Sequence, residues 1–391
     1  HGAAFVKAGD CGPMSQIITP FVLNVPESVL QNLRNRLRET RWPEAETVRD
    51  WSQGVPLSRA KALIDHWQNH YDWKRCEAML NGFGQFRTEI DDLGIHFLHV
   101  RSPHAQALPL LITHGWPGSI IEFHKIIGPL VDPPAYGGDP ADAFHVIAPS
   151  LPGYGFSDRP TGTGWNIPRI AKAWITLMAR LGYTRYVAQG GDWGSAVTAT
   201  IATLKPAGLL GIHLNLTMAS PKFASQNPTP EEQAALKALT RYQRELSGYS
   251  LQQATRPQTL GYGLADSPVA QALWIYEKFY DWTDCNGDPE SVLTRDEMLD
   301  NIMLYWLPNT GASSARLYWE SFAQTEPLPV DLPTGYSAFP AEIFRAPRQW
   351  AEHTLRNIVY WNEVDRGGHF AAFEQPELFI AELRACFRLM R

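Results

Sequence analysis

Sulfur is scarce in this chain, long apolar runs are missing, and each scarcity removes a class of protein. Four cysteines, Cys11, Cys76, Cys285 and Cys386, are scattered over 391 residues without a CxxC pair. That excludes a disulfide scaffold or a zinc ribbon and is read as reduced thiols in a cytoplasmic protein. No stretch approaches the roughly 18 consecutive apolar residues of a transmembrane helix, so no membrane span is expected. Charged residues are only 19% of the chain, the formal charge is −6 and no basic block occurs. Nucleic acid is therefore excluded as a partner. His66 and His70 share a helical spacing but lack the glutamate of HExxH, and Gly153-Tyr154-Gly155 lacks the third glycine or lysine of a phosphate loop. Neither a metal nor a cofactor is expected. No internal repeat or low-complexity tract is present.

What is there is an ordinary globular composition, 44% apolar, in a chain longer than one usual domain. Residues 1–13 lack an initiating Met and are read as an appended remnant, with Met14 as the native start. Residues 14–105 read as a helical lead-in and a hairpin. Pro26 to Thr40 has apolar residues at helical spacing, Pro56 to Leu80 holds one or two further helices, and Phe86–Ile90 with Ile95–Val100 form the hairpin, turned at Asp91 to Gly94. From 106 to 216 the pattern alternates: strands at Leu110–Thr113, Phe144–Ala148, Tyr186–Gln189 and Leu209–Leu216, helices at Ser119–Leu130, Ile167–Leu181 and Ser195–Leu204. Residues 217–335 are helical and aromatic-rich. The alternation resumes over 336–391, with strands at Tyr336–Phe339 and Ile358–Val364 and helices at Arg348–Leu355 and Pro376–Met390. Alternation of this kind predicts an α/β fold, a mainly parallel sheet covered by helices on both faces. The helical block between its halves is expected to cap the edge where open α/β sheets bind ligands.

The chemistry centres on Tyr186-Val187-Ala188-Gln189-Gly190-Gly191-Asp192-Trp193-Gly194-Ser195. A β-rich run, glycines around one reactive residue and a following helix make the nucleophile elbow, G-x-Nu-x-G, of the α/β-hydrolase fold. Here the nucleophile position is an aspartate. A carboxylate displaces at carbon and becomes an ester that water can cleave, so it suits alkylating substrates; a serine would form a stable ether. The base expected after the last strand is His369, in Arg366-Gly367-Gly368-His369-Phe370. The acid expected to orient it is Glu342, after the preceding strand, with Asp331 and Asp365 as competitors. The loop His114-Gly115-Trp116-Pro117-Gly118-Ser119 and the elbow are expected to supply the backbone amides of Trp116 and Trp193 as an oxyanion hole. Because the ester carbonyl belongs to Asp192, that hole must hold the nucleophile's own oxygen.

Together with Gly153-Tyr154-Gly155-Phe156-Ser157, these motifs resemble the epoxide hydrolases. The tail Arg366 to Glu374 and the lead-in Arg41-Trp42-Pro43 resemble the microsomal-type branch, and the resemblance runs from about Ile18 to Arg391. The membrane anchor of the microsomal enzymes is not seen, so the likeness is to the soluble bacterial or fungal members. The family implies a small hydrophobic epoxide and water as partners and no cofactor; a homodimer is left open. It also implies two tyrosines that hydrogen-bond the epoxide oxygen. They match Tyr249, in Ser247-Gly248-Tyr249, and Tyr318, in Ser313-Ser314-Ala315-Arg316-Leu317-Tyr318, with Tyr262 and Tyr305 as fallbacks. Two rival readings stand beside it. A haloalkane dehalogenase shares the aspartate but needs indole or amide donors for halide, and a ligand receptor keeps the fold without turnover.

Overall fold

The computed structural model describes residues 16–322 and 328–391. The reading of residues 1–13, Met14 and Cys11 lies outside them. Nine strands form one sheet: β1 (Ile18–Phe21), β2 (Gln85–Ile90), β3 (Leu93–Val100), β4 (Leu108–Thr113), β5 (Phe144–Pro149), β6 (Tyr186–Gly190), β7 (Leu209–Leu214), β8 (Thr334–Ala338) and β9 (Ile358–Glu363). Their order is β1-β2-β3-β5-β4-β6-β7-β8-β9. The pairings β1–β2, β2–β3 and β3–β5 are antiparallel, and every pairing from β5 to β9 is parallel. β4 and β6 are buried at every position, as strands covered on both faces must be. The chain leaves β4 to form β5 on one side and returns to form β6 on the other. That reversal opens a crevice beyond the C-terminal ends of β4 and β6.

Several boundaries differ from expectation for local reasons. The hairpin turn is two residues long, Asp91 and Asp92, at φ 53° and 62°. Two consecutive left-handed residues make the type I′ turn that suits the twist of paired strands, so β3 begins at Leu93. β1 went unread because it is short and contains Pro20; it lies at the sheet edge, where a missing N–H is tolerated. The helix expected over Ser119–Leu130 is broken into a 3-10 turn at Ile120–Phe123 and a short helix at Ile127–Val131. Pro129 cannot donate into a continuous ladder there. Pro56 to Leu80 holds two helices, Leu57–Asn69 and Trp73–Phe83, the second started by the Asp72 side chain accepting from Lys74 N–H. β8 begins at Thr334, two residues inside the span read as helical.

Between β7 and β8 the described residues form helices at Pro230–Arg241, Gly248–Thr255, Pro257–Asp266, Pro268–Trp282, Arg295–Trp306 and Gly311–Ser321. The N-terminal helices grip this block. Tyr71 Oη donates to Asp300 Oδ1 at 2.6 Å and Arg75 Nη2 lies 2.7 Å from the same oxygen. His66 Nε2 lies 2.7 Å from Asp296 Oδ1, and Arg59 pairs with Asp288. Burial pushes the Asp300 carboxyl up, and the bonds from Tyr71 and Arg75 oppose that shift. The N-terminal helices thus strap across the helical block.

The turn after β6 depends on contact that only glycine permits. A Cβ on Gly194 would fall inside the Thr113 carbonyl oxygen at the end of β4. Gly194→Ala is therefore expected to destabilise the fold by about 1–3 kcal/mol, the usual cost of overpacking. Urea unfolding measures this, and an unchanged midpoint would remove the close-packing account.

Candidate active site

Asp192 lies between β6 and the helix Trp193–Leu204 with φ 50° and ψ −132°. A non-glycine residue there carries about 1–3 kcal/mol of backbone strain, which the surrounding packing must overcome. The turn lifts the carboxylate out of the strand end toward the loop that follows β4. Gly115 lets the two meet, since a Cβ on it would collide with the Asp192 carboxylate. Trp116 N–H then donates to Asp192 Oδ2 at 2.8 Å. Trp193 N–H follows Asp192 at the first position of the helix. Among the described residues, only the Trp116 member of the expected amide pair is bonded to the carboxylate. The Trp116–Pro117 peptide is cis.

The loop after β4 is held from above by the helix Arg295–Trp306. Ser119 Oγ donates to Asn301 Oδ1 at 2.7 Å, Asn301 Nδ2 to the Pro117 carbonyl at 2.8 Å, and Tyr305 Oη to the Gly118 carbonyl at 2.6 Å. These bonds satisfy loop groups that no strand ladder reaches. His114 holds it from within. Leu151 N–H donates to its Nε2 at 3.1 Å and its Nδ1 lies 3.0 Å from the Gly115 carbonyl. Burial lowers its pKa to about 4, so it is a neutral packing group.

β8 and β9 are parallel neighbours, so the loops that follow them leave the same edge. Ala341 N–H donates to the Gly367 carbonyl at 3.0 Å and zips those loops together. Glu342 Oε1 consequently lies 2.6 Å from His369 Nδ1, while His369 Nε2 lies 3.1 Å from Asp192 Oδ1. Both His369 and Glu342 are buried. The competitors fall away: Asp331 pairs with Lys205 and Arg356 at the surface, and Asp365 is exposed. Burial alone would push the imidazole toward its neutral form, but Glu342 and Asp192 outweigh it and hold its pKa well above the usual value.

Tyr249 and Tyr318 come from two helices of the block and meet over the Trp116 indole. The Tyr249 ring stacks on it at 5.1 Å and 8°, and Tyr318 stands perpendicular to it at 5.9 Å. Tyr318 also meets the Trp193 ring edge-on at 5.0 Å. Burial pushes both phenols well above their usual range; for Tyr249 the neighbouring Tyr242 adds to the shift and for Tyr318 the neighbouring Tyr249 does, with Asp192 adding to each. Both rings therefore stay protonated and able to donate. Of the fallbacks, Tyr262 is 69% exposed and Tyr305 is committed to Gly118. Two neighbours went unread in the sequence. Tyr242 Oη lies 2.7 Å from Tyr249 Oη, and nothing in its surroundings marks it apart. Glu122 lines the space behind Asp192 and His369; a lone carboxylate in Ile120-Ile121-Glu122-Phe123 was a signal that could have found it.

Among the described residues no group of three or more His, Cys, Asp or Glu side chains is arranged to hold a metal ion, and no helix is long and apolar enough to cross a membrane. Cys76, Cys285 and Cys386 are free and buried.

The strand order and the elbow define an α/β-hydrolase, and the described alpha/beta hydrolase fold family matches residues 109–267. The epoxide hydrolase N-terminus family matches residues 18–123. A Stigmatella aurantiaca protein named "Putative epoxide hydrolase" is 61% identical over 376 residues, covering 96% of this chain and 86% of its own length. Epoxide hydrolase 1 of Sus scrofa is 36% identical over 406 residues, covering 95% and 89%. The crystal structure of juvenile hormone epoxide hydrolase from the silkworm Bombyx mori superposes with a TM-score of 0.88 at 30% identity, covering 97% of this chain and 96% of that one. The chain belongs to the epoxide hydrolase family.

The raised pKa of His369 has a stability consequence. A group held above its unfolded value of about 6.5 contributes stability that is full below that value and is lost as pH rises through the folded value. Glu342→Gln should lower the imidazole pKa, followed by NMR of His369. It should also remove part of the stability that the raised pKa contributes, so wild type exceeds the variant most at acid to neutral pH and the gap closes as pH rises through the folded value. A His369 titration unmoved by the substitution would contradict the assigned cause.

Proposed function

We propose that this chain opens a small hydrophobic epoxide to a vicinal diol through a covalent ester on Asp192. The observation that carries the reading is the line Asp192–His369–Glu342, at 3.1 and 2.6 Å, with Trp116 N–H on the remaining Asp192 oxygen. Oδ2, held by that amide, becomes the ester carbonyl, and Oδ1 attacks a ring carbon. The C–O bond of the epoxide breaks, and its oxygen takes a hydrogen bond and then a proton from the protonated phenols Tyr249 and Tyr318. Esterification removes the charge of Asp192. One of the two carboxylates that hold the imidazolium is then gone, so its pKa falls; the proton it gives up restores the phenol that protonated the alkoxide, and the neutral ring can act as a base. It becomes a base only when there is an ester to hydrolyse.

Water, deprotonated by His369 with Glu342 holding the imidazole, attacks the Asp192 carbonyl carbon. The Trp116 and Trp193 amides stabilise the oxyanion. The tetrahedral intermediate collapses, the diol leaves with a proton from His369, and the Asp192 carboxyl passes its remaining proton to His369, restoring the carboxylate and the imidazolium. The paired phenols over the site favour epoxide over alkyl halide, whose halide would need donors in place of alkoxide-protonating groups. No cofactor or nucleic acid enters the cycle.

The division that accompanies this reading is a lead-in over 14–105, a catalytic core over 106–216 and 336–391, and a cap over 217–335. Free buried cysteines and the absence, among the described residues, of a membrane-crossing helix support a cytoplasmic enzyme.

In the test, His369→Gln is mixed with an aryl epoxide and followed by intact-mass spectrometry. It should accumulate a substrate adduct on the Asp192 peptide, while Asp192→Ala forms neither adduct nor diol. Single turnover of wild type in ¹⁸O-water should leave label in Asp192; label confined to the diol would mean direct attack by water. Tyr249→Phe and Tyr318→Phe should each slow adduct formation by roughly 10- to 100-fold, at the low end for a general acid because the second phenol remains. Pre-steady-state quenching reads that step apart from hydrolysis.

A further inference from the structure

Behind Asp192 the chain encloses a cavity of about 20 Å³. Its wall includes Asp192, His369, Glu122, Gln189 and Asn215. A space of that size holds about one water molecule, provided polar partners face it. Gln189 and Asn215 are already bonded to each other, Nε2 to Oδ1 at 2.7 Å. Glu122 is different. The residue keeps some accessible surface, but its Oε2 is fully enclosed and has no hydrogen-bond partner. Such an atom costs free energy unless something occupies the space beside it.

We propose that Glu122 is a positioning residue that seats the hydrolytic water between its own Oε2 and His369 Nε2, beside the Asp192 carbonyl carbon. The proposal rests on the ester mechanism above. Water must present one proton to the base and a lone pair to the carbonyl carbon, and only its second O–H remains to fix its orientation. An acceptor on the far wall supplies that. As water attacks, its oxygen bonds to the Asp192 carbon, one proton passes to His369 Nε2, and the other stays on oxygen, hydrogen-bonded to Glu122. No proton is transferred to Glu122, so a carboxyl oxygen serves in either protonation state.

The surroundings of the carboxyl agree with this. Burial pushes its pKa up to about 8; the imidazole of His369 opposes the shift, and the carboxylates of Asp192 and Glu342 add to it. Its place is set by the 3-10 turn Ile120–Phe123, whose first residue follows the Ser119 cap. Gly118 leaves room for it, since a Cβ there would overlap the Glu122 carboxyl. The segment that presents Trp116 N–H to one face of the ester thus presents Glu122 to the water.

The experiment separates the two half-reactions, with styrene oxide as the probe and rapid quench into intact-mass spectrometry. Glu122→Leu removes the acceptor; Glu122→Asp retracts it by one methylene and serves if the leucine variant does not fold. Either is expected to form the Asp192 adduct at the wild-type rate and to lose it about tenfold more slowly, the effect of one hydrogen bond. Glu122→Gln keeps an acceptor oxygen and should restore adduct decay to within about threefold of wild type. Adduct decay at the wild-type rate in the leucine or aspartate variant, or equal slowing of both steps, would overturn the role of Glu122 while leaving the ester mechanism standing. If His369→Gln never shows an adduct, the ester mechanism fails and this proposal with it.

Discussion

Everything chemical in this molecule hangs on one backbone conformation, Asp192 at φ 50°. A left-handed non-glycine residue is held against its local preference by the packing around it. Here the packing is the contact of Gly194 with the end of β4 and of Gly115 with the Asp192 carboxylate. The same contact brings Trp116 N–H to Oδ2. Strain at the elbow and the preorganised amide are therefore two views of one arrangement: β4 and β6 are neighbours, and the turns beyond them are pressed together.

Around that turn the electrostatics are built from few charges. One buried imidazole lies between two carboxylates, and its charge follows theirs. In the proposed cycle, esterifying one carboxylate alters the base without requiring movement of the chain, through low local dielectric rather than conformational change. The tyrosines work in the opposite sense. Burial and the nearby Asp192 charge keep them neutral, which is the state a donor needs. The helical block that carries them is tied to the loop after β4 through Asn301 and Tyr305, and to the N-terminal helices through Asp300 and Asp296. Position at the site is thus set by elements far apart in the chain.

Much of this was legible in the residues because it is encoded locally. The elbow glycines, the alternation of strand and helix, and the histidine after the last strand are short patterns with a physical reason at each position. The rest is not local. Only the family motif separates Tyr318 from Tyr305, since no physical property of the residues does; one bonds a loop carbonyl and the other faces Trp116 because they lie on different helices of the block. Glu342 prevails over Asp331 and Asp365 because parallel β8 and β9 zip their following loops. β1 was missed since an edge strand with a proline is stabilised by its neighbour alone. The break before Pro129 could have been read, as proline's missing N–H acts within one turn.

The amino-acid sequence by itself determined the order of elements, the nucleophile's identity and hence the type of bond it can form. Backbone preference and carboxylate chemistry are properties of residues and their immediate neighbours. The tertiary structure decided between the candidates: that Glu342 and neither competitor meets the imidazole, that Tyr249 and Tyr318 meet over the Trp116 indole, and that Glu122 stands behind Asp192. Those choices depend on distances of about 3 Å between residues tens to hundreds of positions apart. Only the register of the sheet and the seating of the helical block set such distances, and no local pattern records them.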